Sequence, residues 1–388
     1  MDAIKAFLKD QAYILREEVW EVARQIGEHP ELGYKEYFAA EVLTNFLKNH
    51  GFNIENGIAG LDTAFLARFS GNSPGPRVAF LAEYDALPDV GHGCGHNLIG
   101  AASAGAAVIL SKSLDFSGEL LVIGTPAEET SGAKVILLEK GIFKDVDAAI
   151  MFHPGSQNVP VISSLALDAL EFTFHGRAAH AVAATNFGIN ALDALINFFV
   201  GINALKKNIS RDMKINGIIT EGGTVPNTIP ERAAARFYLR ARKRKDLDEL
   251  REQVIRCAEG AASMVSAKMT WRKFEFSYDE MHTNLSLAGC FMKNLRELGV
   301  IEIAPPQTAM GSVDMGNVSR AVPAIHPYLM LGEGTEIPHT RDFAQAALSD
   351  KGKTLVMLAM QTLAMTGSDV LRDKKLLQQI KKEFRLDK

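Results

Sequence analysis

Hydrophobic residues near the start of the sequence recur three and four positions apart, which is the spacing of one face of a helix. This pattern covers residues 12–26 and 36–47 and predicts two amphipathic helices. The segment between them, His29-Pro30-Glu31-Leu32-Gly33, contains the proline and glycine of a loop. The first predicted elements are therefore two helices joined by a loop.

Short, continuous apolar runs follow and alternate with helical patterns. Strands are predicted at residues 77–83, 119–125 and 148–152, and helices at 96–114 and 135–139. Strands that alternate with helices form a sheet with parallel members and helices on both faces. Ligands of such sheets bind beyond the carboxyl ends of the strands. Four polar residues follow those ends: Asp85, Glu128, Glu129 and His153.

The middle of the chain has its elements in the order strand, helix, strand, strand, helix, strand, which is typical of a ferredoxin-like unit. The first of these strands alternates as a half-exposed strand does. The predicted strands are 168–175, 214–220, 233–240 and 268–276, and the predicted helices are 189–205 and 246–263.

Elements of the first domain then resume, with a helix at 285–298, a buried strand at 324–331 and a long helix at 340–365. A length of 388 residues exceeds the usual size of a single hydrophobic core, so two domains are expected. We predict an α/β domain at residues 1–166 and 282–388, with a second domain inserted at 167–281.

Composition excludes several classes of protein. Apolar residues make up 47% and charged residues 23% of the chain, as in soluble globular proteins. The net charge is -4 and the longest basic run is short, residues 240–245, so no nucleic-acid partner is predicted. The first residues lack the apolar core of a signal peptide, and the apolar run at 98–110 is too short to span a bilayer. We therefore expect a cytoplasmic protein without a membrane partner.

Three cysteines, Cys94, Cys257 and Cys290, are an odd number and lie far apart, so a disulfide framework is not predicted. No Cys-x-x-Cys sequence is present, which disfavours a thiol redox protein. A reduced thiol in the cytoplasm is instead suited to bind a metal.

A glycine-rich segment, Gly91-His92-Gly93-Cys94-Gly95-His96-Asn97, lies between a predicted strand and a predicted helix. Its glycines allow the backbone to turn tightly, so that the Cys94 thiolate and the His96 imidazole can converge on one cation. The alternative is a glycine-rich turn with a buried cysteine and two ordinary histidines. Such short motifs have many false positives, so other residues must decide between the two.

Further candidates lie elsewhere in the chain, and each has an ordinary alternative. The adjacent Glu128 and Glu129 could be surface charges, His153 could be a core or capping histidine, and His339 could only begin a helix. Together with Cys94 they form a donor set suited to zinc, with manganese or cobalt as alternatives. Five ligands exceed the needs of one tetrahedral ion, so a pair of divalent metal ions is predicted. The predicted ligands are Cys94, His96, Glu129, His153 and His339.

The sequence resembles the metallopeptidase and amidohydrolase family that includes aminoacylase, carboxypeptidase G, the auxin-conjugate hydrolases and bacterial aminobenzoyl-glutamate hydrolase. The resemblance covers essentially the whole chain. It is carried by residues 29–33, 83–88, 92–97, 128–129, 153–154, 176–181, 227–230, 311–317 and His339.

The resemblance implies a zinc-exopeptidase-like α/β domain with an inserted dimerisation domain, and hence a homodimer. The five residues above resemble the family's metal ligands, and Glu128 resembles the general base that deprotonates the attacking water. His180 resembles the histidine that polarises the scissile carbonyl, often across a dimer interface, although its sequence also fits a simple strand-to-loop corner. Asn227 resembles a substrate-binding asparagine.

Two departures from the auxin-conjugate group narrow the expected substrate. Asn97 stands where that group usually has Asp, and Glu83-Tyr84-Asp85 stands where it has Asp-Met-Asp. Both features are more similar to the aminobenzoyl-glutamate hydrolase and dipeptidase branch. The wider family's His-x-Asp lacks its histidine here, so Asp85 is expected to orient a ligand and not to bind metal itself.

The leading hypothesis is metal-dependent hydrolysis of the amide bond in small N-acyl amino acids or dipeptides, with aminobenzoyl-glutamate and β-alanyl dipeptides as examples. The alternative is a metal-binding or ligand-binding protein that kept the fold and lost turnover. The intact Glu128 argues against that alternative.

Overall fold

The structure, a computed structural model, describes residues 3–113, 116–308 and 311–386. The helices within these residues are α1 (Ala3–Glu28), α2 (Tyr37–Asn49), α3 (His96–Ser111), α4 (Ala133–Glu139), α5 (Ala191–Leu205), α6 (Arg244–Met264), α7 (Leu285–Glu297), α8 (Met315–Ala321), α9 (Arg341–Ala347), α10 (Asp350–Arg372) and α11 (Lys374–Leu386). The strands are β1 (Asn53–Asn56), β2 (Phe65–Ser70), β3 (Ser73–Ala82), β4 (Ser117–Gly124), β5 (Ala148–Ile150), β6 (His153–Gly155), β7 (Ile162–Ser163), β8 (Ala166–His175), β9 (Ala179–His180), β10 (Lys214–Glu221), β11 (Thr228–Ile229), β12 (Arg232–Ala241), β13 (Lys268–Lys273), β14 (Gln307–Thr308), β15 (Ala324–Ile325) and β16 (Tyr328–Met330).

One compact unit, the α/β unit, comprises residues 3–113, 116–163, 281–308 and 314–386. Its six-stranded sheet has the order β1-β2-β4-β3-β5-β15. The pairs from β4 to β15 are parallel, and β1 and β2 extend the sheet with antiparallel pairs. The predicted mixed, mainly parallel sheet flanked by helices is therefore confirmed.

Helix α3 is buried along nearly its whole length, as its glycine and alanine content predicts. A Cβ added at Gly105 would lie 2.6 Å from Met360 Sδ and 3.0 Å from Val19 Cγ2, so α3 packs closely on α10 and α1. Helix α10 is long and apolar enough to cross a membrane, but 72% of its apolar window is buried. It therefore packs as a core helix of this unit.

The α/β unit differs from the prediction in three details. Strands β1 and β2 were not predicted. The strand predicted at 324–331 is two strands in different sheets, because His326-Pro327 separates β15 from β16. The helix predicted at 340–365 is two helices, because Ser349 caps the start of α10 by accepting a hydrogen bond from the Lys351 amide.

The second compact unit, the inserted unit, comprises residues 164–280 and 311–313. Its antiparallel sheet has the order β10-β12-β8-β13 and packs against α5 and α6, which confirms the ferredoxin-like arrangement. Strand β8 is nearly all buried, so its predicted half-exposure was wrong. It is a central strand, and its buried Asp168 is neutralised by Arg244 and Arg251.

Candidate metal centre

The α/β unit places the predicted site residues beyond the carboxyl ends of neighbouring strands. Asp85 follows β3, and Glu128 and Glu129 follow β4. Gly95 precedes α3 with a φ of +72°, and an added Cβ would lie 2.9 Å from Pro154 Cγ. Glycine is needed at this point because only it permits both this backbone conformation and this close approach.

Donor atoms from six predicted residues converge here. One set, Cys94, His96 and His153, has one donor atom from each residue within 4.8 Å of the others, and so does a second set, Cys94, Glu129 and His339. Cys94 belongs to both, so its sulfur is suited to be shared by two ions. A third set meets the same limit: His96, Glu128 and Glu129.

Asp85 orients two of these donors. Its Oδ1 lies 2.9 Å from His96 Nδ1, and its Oδ2 accepts a hydrogen bond from the Glu129 amide at 2.9 Å. The other donor atoms, His96 Nε2 and Glu129 Oε1, are buried and have no hydrogen-bond partner among the described residues. Histidine ligands of metals usually bond a carboxylate or carbonyl through the second ring nitrogen. The orphaned atoms therefore fit a bound cation.

The other two histidines are held by backbone contacts. His153 Nδ1 lies 2.7 Å from the Pro154 carbonyl oxygen, which leaves its Nε2 for a ligand. His339 donates its backbone N–H to the Gly93 carbonyl at 2.9 Å, and its side chain is 60% exposed. The centre is therefore buried on the His96 side and open on the His339 side.

Sequence reasoning missed a buried ionic group beside these donors. Lys134 on α4 is fully buried, and its Nζ lies 2.6 Å from Glu83 Oε1 and 2.7 Å from Asp314 Oδ1. The remaining oxygen, Glu83 Oε2, is 3.5 Å from His96 Nε2. Glu83 and Asp314 lie in motifs that carry the resemblance, and that was the only available signal. Lys134 gave none, because a single lysine in a short helix usually points to solvent.

Two aromatic side chains pack against His153. The Tyr328 ring stacks on it with centroids 4.9 Å apart, and the His326 ring meets it edge-on at 5.5 Å. Burial, followed by the neighbouring His153, lowers the pKa of His326 to about 3, so its ring is neutral. These residues were missed because the segment that carries them was predicted to be a single buried strand.

The electrostatics of the centre are strongly negative. Five acid groups lie at or beside the centre, and Lys134 pairs with two of them, Glu83 and Asp314, while the His96 ring contacts Asp85: Glu83, Asp85, Glu128, Glu129 and Asp314. Burial raises the pKa of Glu128 well above its usual value, and Glu83 and Asp314 raise it further. Burial, with the nearby Glu129, also raises the pKa of the Cys94 thiol. Burial lowers the pKa of His96, but Asp85 and Glu83 outweigh this and raise it. This excess of acid groups favours the binding of cations.

The inserted unit brings His180 and Asn227 together. Strands β9 and β11 pair His180 with Thr228, and the Ala181 amide donates to the Asn227 carbonyl at 2.9 Å. His180 Nδ1 accepts hydrogen bonds from the Val182 and Ala183 amides at 3.3 and 3.1 Å. Because Nδ1 accepts these bonds, the other ring nitrogen, Nε2, carries a proton, and this exposed side chain can donate a hydrogen bond.

Comparisons with known proteins agree with this arrangement. Residues 166–263 match the peptidase dimerisation domain of the M20 family. The chain is 34% identical to the Xaa-Arg dipeptidase of Mus musculus over 385 residues, which are 94% of this chain and 88% of that protein. It is 31% identical to one of the subunits of p-aminobenzoyl-glutamate hydrolase from Escherichia coli K12 over 327 residues, 78% of this chain and 67% of the relative.

A solved structure shows the same fold. The YXEP protein of Bacillus subtilis, described as a dinuclear metal-binding peptidase of the M20 family, superimposes with a TM-score of 0.70 at 20% identity, over 91% of this chain and 98% of that one. Fold and sequence thus define a hydrolase of small amide substrates. The chain belongs to the M20 family of peptidases and amidohydrolases, which confirms the resemblance seen in its motifs.

Proposed function

We propose that this protein hydrolyses the amide bond of dipeptides or small N-acyl amino acids with the help of two divalent cations. The observation that carries the proposal is the convergence of six donor residues around buried atoms that lack hydrogen-bond partners among the described residues. The substrates named for the two relatives, an Xaa-Arg dipeptide and aminobenzoyl-glutamate, support this substrate class.

In this proposal Cys94, His96 and His153 hold one ion, and Cys94, Glu129 and His339 hold the other. Thiolate, imidazole and carboxylate donors suit zinc, with manganese or cobalt as alternatives. Such ions, when bound, act as Lewis acids on the substrate carbonyl and make water more acidic. Asp85 keeps His96 and Glu129 oriented for this task.

Glu128 is the proposed general base. It lies in one donor set with His96 and Glu129, and it is half-buried among other acid groups. Burial, and after it the neighbouring Glu83 and Asp314, raises its pKa. A raised pKa suits a carboxylate that takes a proton from the attacking water. The same carboxyl group then gives the proton to the leaving amide nitrogen.

His180 is the proposed donor to the oxyanion that develops on the substrate carbonyl. Its two backbone hydrogen bonds fix the proton on Nε2, so the donor is oriented before substrate binds. The neighbouring Asn227 is proposed to bind the substrate.

We also propose a homodimer that forms through the inserted unit. Strand β10 is an edge strand with exposed Ile218 and Ile219, and α5 exposes Ile196 and Val200. The match to a dimerisation domain supports this surface. A cytoplasmic location remains part of the proposal, because the free Cys94 must stay reduced to act as a ligand.

The test is hydrolysis by metal-free protein reconstituted separately with zinc and with manganese. The substrates are dipeptides that end in arginine, aminobenzoyl-glutamate, acetylated amino acids and β-alanyl dipeptides. We expect turnover of at least one class that a chelator abolishes. If the protein binds both ions and hydrolyses none of these substrates, it is instead a binding protein that kept the fold.

A further inference from the structure

The loop at residues 33–36, which we name the clamp loop, contacts the turn that carries Glu128. The turn begins with Ala127, a fully buried residue with a φ of +58°. A residue with a side chain is strained in this conformation, which persists only where the surroundings impose it. The contacts of Ala127 therefore impose the backbone conformation next to Glu128.

Glu36 makes the central contact. Its side chain is fully buried, and Oε1 accepts a hydrogen bond from the Ala127 amide at 2.8 Å. Oε2 accepts a hydrogen bond from Thr63 Oγ1 at 2.9 Å, and the Thr63 carbonyl accepts one from the Tyr84 hydroxyl at 2.6 Å. The carboxylate is thus fixed at both oxygens and holds the strained amide in place.

Two further residues of the clamp loop meet the same turn. A Cβ added at Gly33 would lie 2.3 Å from Thr130 Oγ1 and 3.0 Å from the Ala127 Cα, so only glycine permits this approach. The Tyr34 hydroxyl accepts a hydrogen bond from Ser131 Oγ at 2.9 Å. The clamp loop therefore contacts the turn at several residues and not only through Glu36.

Asp85 holds the other side of the turn through the Glu129 amide at 2.9 Å. The amides before and after Glu128 are thus each bonded to a buried carboxylate, one from the clamp loop and one from the end of β3. We propose that Glu36 is a positioning residue for the general base, acting through the backbone of the turn. This inference rests on the proposed role of Glu128.

The experiment compares Glu36→Met, Glu36→Gln and a matched control, Glu31→Met. Methionine cannot accept either hydrogen bond, whereas glutamine keeps a carbonyl for the Ala127 amide. Glu31 also accepts two backbone hydrogen bonds, from Phe38 and Ala39 at 3.1 and 3.0 Å, but these lie at the start of α2. The control therefore measures how the loss of two backbone hydrogen bonds changes stability and kcat when those bonds do not involve the turn.

We expect Glu36→Met to lower kcat about 100-fold, the effect of a displacement of about 1 Å in a catalytic group. KM should stay within about threefold of the wild-type value, because substrate binding is not affected. Glu36→Gln should remain within about tenfold of the wild-type kcat. Glu31→Met should lower the melting temperature without this loss in kcat, and all variants should bind the same amount of manganese.

Hydrogen exchange gives a readout that does not depend on activity. Amides 127–132 should exchange faster in Glu36→Met than in the wild type or in Glu31→Met. If Glu36→Met does not fold, Gly33→Ala takes its place, because its new Cβ displaces the turn while Glu36 stays intact.

Three results would overturn the proposal: equal kcat in Glu36→Met and Glu31→Met, loss of manganese binding in Glu36→Met, or a Glu36→Gln variant as slow as Glu36→Met. A wild-type protein that hydrolyses nothing would contradict the proposed function instead. Exchange at residues 127–132 would then decide alone whether the clamp loop holds the turn.

Discussion

Buried acid groups are neutralised differently in the two units of the molecule. In the inserted unit, Asp168 accepts hydrogen bonds from Arg244 at 2.7 and 3.0 Å, from Arg251 at 3.2 Å and from Ser277 at 2.6 Å. Burial raises the pKa of Asp168, but these partners lower it below its usual value. This carboxylate is fully satisfied by the protein and has a structural role.

The α/β unit does the opposite. Its acid groups gather at one edge of the sheet, where Lys134 pairs with Glu83 and Asp314 and the His96 ring contacts Asp85. Buried donor atoms nevertheless remain without hydrogen-bond partners among the described residues. Burying charges without compensation is costly. The difference supports the proposal that divalent cations bind in the α/β unit, whereas arginines of the chain itself neutralise Asp168 in the inserted unit.

Glu128→Gln should lower kcat by a factor of about 10² to 10⁴, because it removes the proposed general base. Metal binding should persist, since Glu128 is not a proposed ligand. Steady-state kinetics and metal analysis of the same preparation check both points. Glu139→Gln, at an exposed glutamate of α4, is the control. Near-normal turnover in Glu128→Gln would rule out the assignment.

Lys134→Met should destabilise the metal-free protein by about 3–5 kcal/mol, because it leaves Glu83 and Asp314 buried without their cation. Denaturant unfolding measures the loss. Lys140→Met changes an exposed lysine at the end of the same helix and should have little effect. If the two variants were equally stable, the positive charge of Lys134 would not be needed to neutralise Glu83 and Asp314, which would contradict this description.

His180→Ala should lower kcat by about 10² to 10³, the usual cost of losing one oxyanion donor. Stability should change little, since the side chain is exposed. His175 is an exposed histidine of the same unit that contacts Thr270, so His175→Ala is a matched control. Equal kcat values for the two variants would remove His180 from the chemistry.

Asp85→Asn should weaken metal binding by about 10- to 100-fold, because an amide cannot serve both the His96 ring and the Glu129 amide as the carboxylate does. Calorimetric titration of metal-free protein measures the affinity. Asp89 is an exposed acid of the following loop, and Asp89→Asn should bind metal as the wild type does. Unchanged affinity in Asp85→Asn would show that this contact does not orient the donors.

The smallest expected effect is on the pH dependence of stability. Burial raises the pKa of Glu36 from 4.5 to about 7. The folded protein therefore keeps a proton that the unfolded chain has released, and this group lowers stability as pH rises from about 4.5 to 7. Glu36→Gln should flatten that slope by at most about 1.4 kcal/mol per pH unit in urea unfolding.

Asp168 gives the opposite case. Its pKa is lowered in the folded protein, so its contribution is present above its usual value of 3.8 and is lost only at lower pH. Asp168→Asn should therefore keep the wild-type slope between about pH 4.5 and 7. A flattened slope in this variant, or an unchanged slope in Glu36→Gln, would contradict the assigned shifts.

The sequence predicted the parts of the molecule that depend on local pattern. The alternation of strands and helices predicted the main sheet, and the proposed ligands Cys94, His96, Glu129 and His153 follow strand ends or a glycine-rich turn that the pattern exposes. His339 came from its Pro-His sequence and from the family resemblance. These residues needed no knowledge of distant contacts.

What the sequence could not predict depends on contacts between distant segments. Lys134 and Asp314 are 180 positions apart, and the local sequence around either residue does not predict their ion pair. Glu36 is 91 positions from the Ala127 amide that it holds. Strand β8 was predicted to be half-exposed from its alternating pattern, and the arginines that neutralise its buried Asp168 lie more than 70 positions further along the chain. Tertiary burial overrode the local pattern in each case.

Anomalous diffraction from crystals of manganese-reconstituted protein would locate the two proposed ions. We predict two peaks in the α/β unit, one bordered by Cys94, His96 and His153, and the other by Cys94, Glu129 and His339. Protein saturated with manganese that shows no peak among these residues, with the acid groups neutralised only by the chain itself, would contradict the account.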